Sequence, residues 1–79
     1  MTIHLEKLGR AIAAARSLAG LDQKKLATAA NIPQSTISAI ERGYPTSAER
    51  LKAIREVLGR RNVTLLADRR AGNYGAIGR

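Results

Sequence analysis

Along most of the chain apolar residues recur at steps of three and four, the spacing of one helix face, and only near the end does that periodicity stop. Leu5, Leu8, Ile12, Ala15 and Leu18 make the first stripe. Thr2 stands where an N-cap belongs, and Gly20 supplies a left-handed stop with Leu21 folding back behind it. Asp22 caps a shorter second helix over 23–30 that is expected to bury Leu26 and Ala30. Asn31-Ile32-Pro33 breaks it, because asparagine tolerates the left-handed region and proline disfavours helix at the residue before it. A third helix over 34–42 turns Ile37 and Ile40 inward and leaves Ser35, Ser38, Ala39 and Arg42 on the opposite face. Gly43 ends it and Tyr44-Pro45 stops it from continuing. Thr46-x-x-Glu49 reads as the capping box of a fourth helix carrying Leu51, Ile54, Val57 and Leu58.

Past Gly59 the pattern changes. Val63, Thr64, Leu65 and Leu66 form a β-prone run before the turn-rich stretch 68–75. Pairing of 74–77 with that run as a hairpin is the preferred reading, with a loose tail or a short fifth helix as alternatives. The expectation is a mainly α fold: a compact four-helix domain over 1–60, and a short strand, hairpin or tail over 61–79 that is a candidate dimerisation element. A chain of 79 residues has surface enough for one core only.

Charge narrows the function. Fourteen Lys and Arg against six Asp and Glu leave a net +8, which draws polyanions and makes nucleic acid the first partner to consider. No apolar run approaches the ~18 residues of a membrane span, and the N-terminal stretch has no signal-peptide pattern, so no membrane association and a cytoplasmic location are expected. The absence of cysteine removes disulfides and thiolate metal sites. His4 by itself cannot form a metal site, and Ser35, Thr36 and Ser38 have no base at a recognisable spacing. The sequence therefore predicts no catalytic residue, no cofactor and no metal, and no enzyme.

Two short helices joined by a three-residue turn, the second with a small polar outer face, have the size and logic of a helix-turn-helix between Gln23 and Gly43. Small residues suit that face, since a major groove about 12 Å wide admits a helix only if its outer side chains let the backbone approach. Gln34 can offer one donor and one acceptor to adenine, while Ala39 can offer a methyl contact.

Arg16, Gly20-Leu21-x-Gln23, Leu26-Ala27, Ile32, Thr36-Ile37-Ser38, Ile40-Glu41 and Gly43 together resemble the Cro/C1-type helix-turn-helix family of phage repressors and small bacterial transcriptional regulators, from Leu8 to Gly59. The resemblance implies a lambda-repressor-like fold and sequence-specific binding to double-stranded DNA. It implies base-reading positions at Gln34, Ser35 and Ala39, with Ser38 beside them. It gives Gln23 a phosphate contact and a bracing role, Arg42 a phosphate contact, and Arg16 and Glu41 a structural ion pair. Lys24, Lys25, Tyr44 and the loop at Thr46 and Ser47 flank the same side as further phosphate candidates. Arg50, Lys52, Arg55, Arg60 and Arg61 read mainly as a solvated basic face.

Pro33 departs from the family pattern by removing the usual side-chain cap of the recognition helix. The functional expectation is a homodimeric transcriptional regulator, a repressor in the first instance, on a palindromic operator. Its interface would be the apolar edge of the fourth helix or the Val63–Leu66 strand. The alternatives are a DNA-binding antitoxin with a toxin as protein partner, a controller protein of a restriction–modification or mobile-element system, and, least favoured, an RNA-binding module.

Overall fold

In the computed structural model, which describes residues 5–68 and 73–78, four helices precede a hairpin: α1 (Leu5–Leu18), α2 (Gln23–Ala30), α3 (Gln34–Glu41), α4 (Ala48–Arg60), β1 (Val63–Asp68) and β2 (Asn73–Gly78). Thr2 as a cap and His4 lie outside the described residues.

The punctuation follows local chemistry. Gly20 adopts φ +73°, and the buried Leu21 donates its backbone N–H back to the Arg16 carbonyl at 3.1 Å, closing the end of α1. The Asp22 carboxylate accepts from the Lys25 N–H at 2.7 Å and caps α2. Asn31 takes the left-handed conformation at φ 55° and ψ 46°, which turns the chain toward α3. Three boundaries differ from expectation. Ser47, rather than Thr46, caps α4, accepting from the Arg50 N–H at 3.1 Å. The Thr46 hydroxyl is buried without a hydrogen-bond partner. And α3 ends at Glu41 with Arg42 as its C-cap, one residue short of the expected 34–42, while α4 runs to Arg60 before Asn62 turns left-handed at φ 61°.

Ile12, Leu26, Ile37, Ile54 and Leu58 are fully enclosed and join all four helices in one core. On α1 the buried line runs Leu8, Ile12, Ala15, Ala19, whereas Leu18 is 57% exposed. Steps of four, three and four keep one face, and Leu18 sits one position off it. On α2 the alanine sealed beside Leu26 is Ala27, with Ala30 only partly buried. Gly9 lies mid-helix because α1 crosses the end of α3 there: a Cβ at that position would stand 2.6 Å from the carbonyl oxygens of both Ile40 and Glu41.

The hairpin belongs to the same core. β1 and β2 pair antiparallel in the register Val63↔Gly78, Leu65↔Ala76, Ala67↔Tyr74. Val63 and Leu65 enter the core, and Tyr74 and Ala76 pack against it. With a period of two, Thr64, Leu66, Gly75 and Ile77 take the other face, where Leu66 is 42% and Ile77 53% exposed. Arg55 and Arg61 are exposed, as expected of a solvated face, and each also ties elements together: Arg55 donates to the Leu65 carbonyl and Arg61 to the Ala19 carbonyl, each at 3.4 Å.

Candidate nucleic-acid interface

The α2–turn–α3 unit is held from behind by a polar clamp. Arg16, near the end of α1, donates through Nε to Glu41 Oε2 at 2.7 Å and through Nη2 to Oε1 at 3.1 Å, a bidentate fork. Its Nη1 donates to the Leu21 carbonyl at 3.1 Å. Gln23, the first residue of α2, donates through Nε2 to Glu41 Oε1 at 3.1 Å. One carboxylate at the end of α3 therefore fastens both α1 and α2. The fork to Glu41 holds the Arg16 guanidinium above its ordinary range, outweighing the burial that works the other way. The Glu41 side chain is 8% exposed and that of Arg16 is 20% exposed. An amide nitrogen carries two hydrogens, so Gln23 keeps one to offer an outside acceptor.

The outer face of α3 has a low profile. Gln34 and Ser35 are exposed, Ser38 and Ala39 are half-buried, and Arg42 is exposed at the helix end. Pro33 gives no side-chain cap, and its carbonyl receives the N–H groups of Thr36 at 3.0 Å and Ile37 at 3.1 Å. Gln34 and Ser35, ahead of those two, have no intrahelical acceptor for their own N–H groups, which leaves donors at the positive end of the helix dipole. Lys24 and Gln34 line one open groove of about 510 Å³ together with Ala27, Ile32 and Pro33. The fold thus brings together the candidate phosphate contact on α2 and the first candidate base reader on α3.

Arg42 is ordered by its neighbours. Its Nη1 donates to Ser38 Oγ at 3.1 Å, and its guanidinium carbon lies 5.7 Å from the centroid of the Tyr44 ring. Tyr44 is 60% exposed, and its backbone N–H donates to the Ala39 carbonyl at 3.1 Å. Thr46 is placed differently from the other candidates, because its buried hydroxyl does not face solvent.

Within residues 23–43 the charged side chains are Lys24, Lys25, Glu41 and Arg42, and Glu41 is taken up by Arg16. What the unit shows to solvent is positive. Sequence reasoning missed one feature and gave another only through the family resemblance. Gly9, which lets α1 lie against the end of α3, was detectable only as a glycine inside a helical pattern. The Gln23–Glu41 bond spans 18 positions and has no local signal, and the bracing role of Gln23 was implied by the resemblance alone. Among the described residues no group of three His, Cys, Asp or Glu side chains converges as a metal site would require, and no helix is long and apolar enough to cross a membrane.

Comparison with known proteins agrees with this geometry. A family profile described as helix-turn-helix matches residues 12–66. No curated protein sequence matches. Among solved structures, the clp gene regulator ClgR from Corynebacterium glutamicum is similar at 30% identity and a TM-score of 0.68, over 73% of this chain and 63% of that one. The chain thus spans less than two thirds of that regulator's length. The matched segment contains the whole α2–turn–α3 unit, both partners of the clamp and β1 up to Leu66. The chain belongs to the Cro/C1-type helix-turn-helix family of DNA-binding regulators.

Proposed function

We propose that this protein is a transcriptional regulator, acting as a repressor, that occupies a palindromic DNA operator as a homodimer in the cytoplasm. One observation carries the reading: a short helix with a low-profile polar face is clamped at its base by Arg16 and Glu41, and Lys24, Lys25 and Arg42 are exposed around it. In this reading Gln34, Ser35, Ser38 and Ala39 face base edges in the major groove, with the Gln34 amide set for adenine. Gln23 offers its remaining amide hydrogen to a phosphate, and Lys24, Lys25 and Tyr44 add contacts along the backbone. Thr46 contributes through the backbone of its loop, its hydroxyl being covered.

Dimerisation is supported by the hairpin rather than by α4. The α4 residues Ile54, Val57 and Leu58 are spent in the protomer's own core. The outer hairpin face of Thr64, Leu66, Gly75 and Ile77 is uncharged and partly apolar on a chain of net +8, so two copies can approach through these four residues without opposing charges among them. The test is selection of bound sequences from random duplex DNA, followed by mobility shift at physiological salt. A two-fold symmetric consensus with half-sites about 10 base pairs apart is the expected result. Equal affinity for the selected and random duplexes would overturn the reading.

A further inference from the structure

We infer that Arg42 reads a guanine in the major groove and that Ser38 and Tyr44 are its positioning residues, an inference that rests on the DNA-binding reading above. The family resemblance gives position 42 a phosphate contact; the geometry of this chain directs the side chain elsewhere.

The guanidinium is drawn back along the helix, not out past its end. Arg42 and Ser38 are four residues apart and so lie one above the other on the same face of α3. The hydrogen bond from Nη1 to Ser38 Oγ, at 3.1 Å, lays the arginine head over the serine that faces the bases. The guanidinium carbon also lies over the Tyr44 ring, 5.7 Å from its centroid. A cation–π contact of this kind, with the hydrogen bond to Ser38, restricts where the arginine head can lie. Ser38 engages one nitrogen, leaving the edge formed by Nε and Nη2 with no acceptor among the described residues. Two parallel donors on one edge are what guanine O6 and N7 accept, and arginine on guanine is the commonest specific contact in the major groove.

The remainder of the face creates the need for such a residue. Ser35, Ser38 and Ala39 have short side chains, and only Gln34 has the reach and paired donor and acceptor for bidentate contact. Without Arg42 a half-site would be read strongly at one position. With it, the two ends of the helix address different bases, adenine from Gln34 and guanine from Arg42. The arginine head lies over Ser38, one helical turn or about 5.4 Å beyond Gln34, so the two bases fall within about three base pairs of each other.

The experiment compares wild type, Arg42→Lys and Arg42→Ala by selection from random duplex DNA, then measures affinities for every single-base variant of the wild-type consensus. Arg42 is exposed, and circular dichroism with a melting curve checks that each variant is folded. The expected result is a wild-type consensus with a guanine near the adenine. In both variants the preference at that one position falls by about 5- to 150-fold, and the other positions are unchanged. Lysine keeps the charge but loses the fork, so Arg42→Lys retains affinity for random duplex. If Arg42→Lys selects the wild-type consensus unchanged, or Arg42→Ala weakens all sequences alike, the arginine serves a phosphate and the inference is overturned. Failure of the wild type to select any consensus would instead overturn the regulator reading, and this inference with it.

Discussion

At the scale of single residues, the Arg16–Glu41 clamp and the Gly9 contact set the attitude of the recognition helix. Removing the carboxylate leaves a guanidinium forked on nothing, and releases Gln23 as well. Glu41→Ala is therefore expected to cost about 2–4 kcal/mol, somewhat below a fully enclosed pair because a fifth of the Arg16 side chain remains in water. Thermal or urea unfolding measures it, and a curve superimposable on wild type would refute the structural role. Since the Arg16 pKa is raised on folding, its contribution is complete at every pH below the ordinary arginine range and fades only at extreme alkalinity. Gly9→Ala sets two effects against each other. Alanine is the better helix former by about 1 kcal/mol, but its methyl would stand 2.6 Å from two backbone carbonyls that cannot rotate away. The clash wins, and a net loss of about 1–3 kcal/mol is expected; a variant more stable than wild type would show that α1 is free to slide.

At the scale of elements, the two hydroxyls before α4 have opposite roles, and substitution separates them. Ser47 satisfies the Arg50 N–H, so Ser47→Ala should cost about 1 kcal/mol. The Thr46 hydroxyl is buried without a partner, so Thr46→Val, which keeps the shape, should be neutral or stabilise by up to about 1 kcal/mol. Unfolding of the two variants side by side checks this, and a larger loss at Thr46 would restore it as the cap. The example also shows where sequence reading stopped. Thr46-x-x-Glu49 satisfies the capping-box pattern, but adjacent Thr46 and Ser47 are equal candidates until packing decides which one turns inward. The caps at Asp22 and the stops at Gly20 and Asn31 were legible because each depends on its own side chain and the next three or four residues.

For the whole molecule, the questions are charge and self-association. Binding to duplex DNA should weaken steeply with salt; 6–10 neutralised phosphates would lose roughly 10³ to 10⁵ in affinity between 50 and 200 mM. Titration at several salt concentrations reads this, and a flat profile would exclude binding through the backbone. If the outer hairpin face joins two copies, Leu66→Glu with Ile77→Glu places opposed like charges in the interface. The double variant should sediment as a monomer where the wild type sediments as a dimer, with an unchanged circular dichroism spectrum. Both residues are exposed within the protomer, so the substitutions leave its core intact. A dimer that survives both charges would move the interface off the hairpin.

The sequence by itself determined the number and order of the helices, their stops and the inward set Ile37, Ile40, Ile54 and Leu58, because periodicity and capping act over a few residues. It also located the candidate reading face of Gln34, Ser35, Ser38 and Ala39, since a helix with one apolar side has only one other side to offer. Tertiary structure decided what depends on distant segments meeting. Leu18 was left outside the core because the face of α1 that packs runs through Leu8, Ile12 and Ala15 to Ala19, and Gly9 was required by the crossing of α1 over α3. The Glu41 carboxylate became a shared acceptor for Arg16 and Gln23, residues 25 and 18 positions away. The hairpin was chosen over a loose tail because Val63, Leu65, Tyr74 and Ala76 find a surface on the helices, and a two-stranded hairpin alone is marginal in water. The position of Arg42 belongs to this second group: its charge is plain in the sequence, but only the fold lays it over Ser38 and onto Tyr44.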